Sequence, residues 1–259
     1  MVSVLLPLRS NPAGWDNAHR NSGELEREMT FTYALIADTG IVLVADTQVT
    51  YTHRNNIGET EGTYEGRRSK LRFIGKHSAF SVAGNGGLVE TLIGAAEEAG
   101  NHEKEFGPAT DAYQKAFLEV YNAKYSGRIQ RLDATFLFCG YVHGAAGAKP
   151  EIIKLDMAGG FEYNPIYGSG WASSRSQKHG AALYLHHRLY QDNLPLERAK
   201  FLAYLVASEV AEQDTSVGGT IEMVIITPKG AARVKSTKKY EIGRRDFIKN
   251  QINCFRAFK

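Results

Sequence analysis

The residue types best suited to chemistry are Thr30, Asp46 and Lys70. Thr30 opens one apolar run, Asp46 closes the next, and Lys70 leads into a third after a polar, glycine-rich stretch. If the first two runs are the strands of a hairpin, the start of one lies beside the end of the other. Thr30 and Asp46, sixteen positions apart in the chain, then become neighbours. A lysine at the start of an adjacent strand reaches the same end. A threonine hydroxyl needs a base before it attacks a carbonyl, and a freed α-amino group on the same residue can be that base. Its reference pKa of about 7.7–8.0 leaves a neutral fraction near pH 7. A lysine ammonium lowers the pKa of both amine and hydroxyl, and a carboxylate holds the lysine in place. The same three types are common at strand ends, where Asp46 and Lys70 could form a purely structural ion pair, so spacing alone leaves both readings open.

Other stereotyped patterns are missing: no Walker A loop, no H-E-x-x-H and no paired C-x-x-C. Gly168-Ser169-Gly170 sits between a predicted strand and a predicted helix but lacks the full nucleophile-elbow pattern. Ser169 there could equally be a helix N-cap. His186 and His187 are adjacent in a predicted helix and point to different sides, which favours surface or boundary positions over a metal site. No metal or other cofactor is expected.

Composition sets outer bounds. Of 259 residues, 43% are hydrophobic and 23% charged, a balance that supports a sizeable core. The net charge of +3, with both signs interspersed, calls for neither a nucleic-acid nor a membrane partner. Cys139 stands in an apolar run and reads as a small buried hydrophobe, and Cys254 is far from it, so a disulfide scaffold is not indicated. The short apolar start, Val2 to Leu8, has no basic residue before it and is too short for a signal peptide or a membrane span. The expectation is a cytoplasmic protein.

Residues 1–29 read as an extension and 30–259 as one domain. Strands are predicted at 30–37 and from 41 through Asp46 to about Thr50, joined by the turn Asp38-Thr39-Gly40 and buried on both faces. Residues 51–69 read as an exposed loop. Strands follow at 71–74 and 79–83, helices at 88–99 and 109–125, and strands near 133–142, 150–156 and 161–167. Helices near 170–190 and 195–212, a strand at 220–227 and a basic, partly aromatic tail complete the chain. Grouped strands alternating with grouped helices favour packed antiparallel sheets flanked by helices, an α+β fold.

Several of these segments together resemble a known family. The segments Thr30-Phe31-Thr32-Tyr33-Ala34 and Val44-Ala45-Asp46-Thr47-Gln48-Val49-Thr50 resemble the opening of proteasome β subunits and of the peptidase subunit of the bacterial HslUV protease. Ser69 to Ile74 resembles the family's lysine segment, and Phe80 to Gly84 its oxyanion-hole glycine segment. Tyr167-Gly168-Ser169-Gly170 and Gln213 to Gly219 are similar to its supporting serine and aspartate motifs. The likeness spans about residues 30–230.

This resemblance implies a four-layer αββα sandwich of the N-terminal-nucleophile hydrolase type and a threonine-type endopeptidase. Thr30 would be the nucleophile, Lys70 and Asp46 its tuning pair, Gly84 the oxyanion donor, and Ser169 and Asp214 supports. Val49, Val82 and Gly86 would line the pocket for the residue before the cut, implying an apolar preference, whereas Glu90 would favour basic residues; the choice stays open. Homo-oligomeric rings or stacked rings, unfolded or peptide substrates and an ATPase unfoldase partner are also implied. Two positions depart from the pattern. Val217 stands where a second supporting serine is usual, and Met29 replaces the glycine that precedes a self-processed threonine. Met29 points instead to translation starting there, with its removal exposing Thr30. A non-catalytic α-type ring subunit and a related amidase or transpeptidase are the alternatives. The basic tail from Lys235 covers a neighbouring subunit or is a solvated face.

Overall fold

The computed structural model describes residues 30–54, 60–100, 105–125, 133–144, 147–173, 180–215 and 217–257. Two five-stranded antiparallel sheets carry the core. The first has the order β10-β1-β2-β11-β12, formed by Ser169–Ser173, Phe31–Ile36, Ile41–Asp46, Ile221–Thr227 and Gly230–Arg233. The second runs β5-β6-β7-β8-β9, formed by Leu71–Ile74, Ser78–Gly84, Ala134–Gly144, Gly147–Asp156 and Asn164–Ile166. The predicted first hairpin is present: Ile36 pairs with Ile41, and the Ala37 N–H donates to the Gly40 carbonyl to close the turn.

Alternation along each strand sorts side chains into three apolar clusters. On β1, Phe31, Tyr33 and Leu35 face helix α4, Leu196–Gln213, where Ala199, Leu202, Ala203 and Val206 receive them. On β6, Phe80 and Val82 pack with Phe136 and Phe138 against α1, Gly86–Gly100, and α2, Phe106–Lys124. The intervening residues, Ala34, Leu43, Leu71, Ala79, Leu137 and Val224, meet between the two sheets. Each fully buried large apolar side chain contributes about 1.5–3 kcal/mol. Cys139 lies in the inter-sheet cluster, fully buried, as its apolar run predicts, and burial pushes its thiol well above the ordinary range.

Four sequence expectations need correction. The second strand does not run on to Thr50: it ends at Asp46, because the Thr47 and Gln48 N–H groups both turn to the Gly218 carbonyl. Residues 51–69 are not all loop. Strand β3, Gln48–Arg54, pairs with β4, Thr60–Arg67, as a separate two-stranded sheet. The segment read as a helix from 170 begins as strand β10, and helix α3 spans Gly180–Leu189. The basic tail holds helix α5, Lys238–Ala257, folded back on α4: Arg244 pairs with Glu209 at 3.0 Å, Lys239 with Glu197 at 2.8 Å, and Tyr240 lies 6.1 Å from Tyr204.

Candidate active site

Pairing of β1 with β2 sets the start of one beside the end of the other, and the start of β5 reaches the same place from the second sheet. Asp46 is the last residue of β2, and Lys70 directly precedes β5. Both are almost completely buried, at 1% and 2% exposure. The Lys70 ammonium donates to both Asp46 carboxylate oxygens, at 3.1 and 3.0 Å, and to the Gln48 carbonyl at 2.5 Å. Thr30 stands directly before β1 and is itself buried. The Phe31 N–H, one residue on, donates at 3.0 Å to Asp46 Oδ1, the same oxygen that Lys70 holds. Asp46 and Lys70 therefore meet, and the Phe31 N–H ties the strand that follows Thr30 to the same carboxylate.

A buried carboxylate persists only when its lone pairs are filled. Besides Lys70 and Phe31, Asp46 Oδ2 accepts the Gln48 N–H at 3.1 Å and the Gly218 N–H at 3.3 Å. Burial pushes the Asp46 carboxyl above the usual carboxylate range, opposed by the Lys70 charge and by the Phe31 and Gly218 donors. Lys70 is held from the other side too, since its carbonyl accepts the Val82 N–H at 3.2 Å.

Gly84 ends β6 with φ +138°, a conformation open to glycine alone, and a Cβ there would collide with the Asp133 carbonyl. The chain turns there into α1, capped by Asn85, whose Oδ1 accepts the Leu88 N–H at 3.1 Å. Gly84 is thus a built corner two residues beyond Val82. Gly86 is the first residue of α1, and Val49 is fully buried beside Gln48 on β3. Asp214 caps the C-terminal end of α4 and leads into the loop whose Gly218 joins Asp46. Val217 in that loop packs in the same apolar cluster as Phe31, so the position that departs from the usual serine is a core position.

Ser169 is not brought to this cluster. It pairs with Leu35, whereas Ser173 pairs with Phe31. At roughly 3.4 Å per residue, four residues of strand put Ser169 on the order of 14 Å away, at the other end of β1. It opens a strand, so the helix-cap reading fails as well. Glu90 is not an open acidic group: Arg68 and Arg72 both reach its Oε1, the latter at 3.4 Å. His186 is half-buried and shares a 2.9 Å hydrogen bond with Tyr33 rather than belonging to a metal cluster; no group of three His, Cys, Asp or Glu residues forms one among the described residues. The sequence reading missed Gln48, whose backbone accepts from Lys70 and donates to Asp46, and whose side-chain Nε2 donates to the Thr215 carbonyl at 3.0 Å. Backbone contacts of this kind leave no mark on residue type.

The family model for proteasome subunits matches residues 30–226, beginning at Thr30. The chain belongs to the proteasome subunit family. No curated protein matches it. Among solved structures, this proteasome-family chain is similar to the helical assembly of the Anbu complex from Pseudomonas aeruginosa, at 14% identity and a TM-score of 0.69 over 88% of this chain and 96% of that one. Anbu from Yersinia bercovieri, described as an ancestral beta-subunit, gives 12% identity and 0.67 over 87% and 96%. A Gly-1 mutant of Anbu from Hyphomicrobium sp. strain MC1 gives 16% and 0.66 over 88% and 96%. These likenesses place the fold, α+β with mixed helices and sheets, in the proteasome type. No helix among the described residues is long and apolar enough to cross a membrane.

Proposed function

We propose that this proteasome-family chain is a threonine-type endopeptidase acting through Thr30, once Thr30 is the first residue. The observation that carries the reading is the convergence of Lys70 and the Phe31 N–H on one buried Asp46 oxygen, which sets a lysine ammonium at the end of β1 where Thr30 stands. The Thr30 amine takes the hydroxyl proton as Oγ attacks the substrate carbonyl. The Gly84 N–H receives the developing oxyanion, a contribution on the order of 3 kcal/mol per donor. The amine then passes its proton to the leaving amine, giving a Thr30 ester, and water activated by the same amine hydrolyses it. Lys70 keeps the amine neutral enough to act, and Asp46 holds Lys70. Asp214 supports this end through the loop that ends on Gly218, and Val49, Val82 and Gly86 border the subsite before the cut. No role is assigned to Ser169.

The start of the family match at Thr30 supports removal of residues 1–29, or translation from Met29 followed by its removal. The fold is read as the four-layer αββα sandwich, supported by the three apolar clusters. The Anbu neighbours, one described as an ancestral beta-subunit and one as a helical assembly, favour a β-type, homo-oligomeric protein; unfolded or peptide chains as substrates and a cytoplasmic location are part of the same proposal, on the family resemblance alone. Hydrolysis of fluorogenic peptides tests this reading. Thr30→Ser should retain part of the rate and Thr30→Ala none; full activity in Thr30→Ala would end it.

A further inference from the structure

The face of β11 that looks between the sheets carries an acidic residue. Val224 and Ile226 on that face belong to the inter-sheet apolar cluster, and Glu222, two residues earlier, continues the alternation. Glu222 pairs in register with Ala45, and its neighbour Ile221 pairs with Asp46. A carboxylate in this position needs donors, and it finds them across the gap. Ser69 Oγ, on the segment leading into β5, donates to Glu222 Oε2 at 2.5 Å. Arg233, the last residue of β12, completes the group. Its Nη1 donates to the same Oε2 at 2.6 Å and to Ser69 Oγ at 3.0 Å, and its Nη2 donates to the Leu71 carbonyl at 3.2 Å. The guanidinium lies 5.8 Å from the centre of the Phe73 ring on β5.

Ser69 and Leu71 are the chain neighbours of Lys70. Glu222 and Arg233 therefore hold the chain on both sides of the lysine, from the sheet that carries Asp46. Lys70 crosses the same gap to reach Asp46 on β2. By itself the clamp contributes little to stability, since Arg233 and Glu222 are 38% and 26% exposed and partly screened. Its geometry is what distinguishes it. The arginine fork supplies donors in fixed directions, one arm for Glu222 and one for Leu71, while the Ser69 hydroxyl accepts from Arg233 and donates to Glu222. A lysine side chain has many rotamers, so fixing its neighbours on both sides narrows where its ammonium arrives.

We infer that Glu222 and Arg233 are positioning residues, which set the Lys70 ammonium on Asp46 by clamping Ser69 and Leu71. The inference rests on the reading of Thr30 as nucleophile and Lys70 as the charge that tunes its amine, and it adds the group that places that charge.

The first of two measurements needs no catalysis. Brief acetylation of the full chain, read by peptide mass spectrometry, reports how reachable Lys70 is. Lys70 is buried and Lys229 is exposed, so Lys229 serves as the internal reference. Arg233→Ala and Ser69→Ala should each raise the labelling of Lys70 relative to Lys229 at least fivefold. Arg233→Lys, which keeps the charge but loses one arm of the fork, should raise it less. The second measurement is peptide hydrolysis against pH. The Lys70 charge lowers the pKa of the Thr30 amine, which must be neutral to act. With Lys70 displaced that pKa rises, so the acid side of the profile moves to higher pH. Arg233→Ala should slow hydrolysis about tenfold at pH 6.5, the effect of a shift of about one unit, and less than about twofold at pH 9. Unchanged Lys70 labelling in both Arg233→Ala and Ser69→Ala overturns the inference. An equal loss of rate at both pH values overturns it too, because a purely structural role would act at every pH. Faster labelling in the variants, with no hydrolysis by the unsubstituted chain, sinks the threonine peptidase reading alone. Hydrolysis by the unsubstituted chain with unchanged labelling in the variants sinks this inference alone.

Discussion

Lys70 and Asp46 form an ion pair that stands only because it is complete. Two side-chain bonds from Lys70 and backbone N–H groups from Phe31, Gln48 and Gly218 surround one buried carboxylate. Lys70→Ala leaves that carboxylate without a countercharge, which costs about 3–5 kcal/mol. Chemical denaturation should show this loss together with the disappearance of peptide hydrolysis; a stable, active Lys70→Ala protein would contradict both the structural and the functional role. Asp133, whose carbonyl accepts the Asn85 N–H beside Gly84, has its carboxyl pushed up from the ordinary 3.8 to about 6 by burial and by Asp156, opposed by Lys154. Its folded pKa lies above its unfolded value, so its stabilising effect is full below about pH 4 and is lost as pH rises through about 6. Since Asp133 is half-exposed, screening reduces the effect to about 1 kcal/mol. Asp133→Asn should therefore raise Tm at pH 8 and leave the difference absent at pH 4; an equal shift at both pH values would show that Asp133 titrates normally. Thr30, Asp46 and Lys70 stood out in the sequence by type, but spacing alone left a structural ion pair equally open, and it was the resemblance of the surrounding segments that singled them out. Gln48 did not stand out, because its part is played largely by backbone atoms.

At the scale of elements, patterning explains both what could be read and what could not. The β1–β2 hairpin is written in two apolar runs around Asp38-Thr39-Gly40, and every residue of β2 is buried. The β3–β4 hairpin is polar and glycine-rich, so its sequence resembles a loop even though its residues pair. Ser169 was misplaced for a different reason: the Gly-Ser-Gly motif matched, but register with β1 decides position, and it puts Ser173 at the Thr30 end. Gly84→Ala tests the corner that ends β6. With φ +138° and the Ala134 Cα 2.7 Å from an added Cβ, strain of about 2–3 kcal/mol should lower Tm by on the order of 5–10 °C. An unchanged Tm would mean that the corner relaxes freely. Val217→Ser tests whether the departure from the family serine is now part of the core. A hydroxyl buried among Phe31 and its neighbours costs about 1–3 kcal/mol, so thermal unfolding should move down, and a rise would mean that a polar partner is waiting there.

For the whole molecule, the family match begins at Thr30, directly before the first strand of the sheet that carries Asp46. The α5 helix closes over α4 of its own chain rather than standing as a free basic tail. Family membership and the Anbu assemblies lead us to expect a homo-oligomer, which light scattering of the purified protein should show as a mass of several chains; a monomer that still cleaves peptides would separate catalysis from assembly. The central claim is that Thr30 works as the first residue. Intact mass and N-terminal sequencing of protein from its native host, with a peptide assay on the same sample, test it most directly. The account predicts a chain beginning at Thr30 that cleaves peptides. An active chain that keeps residues 1–29 would contradict it, because Thr30 would then have no free amine to take the proton.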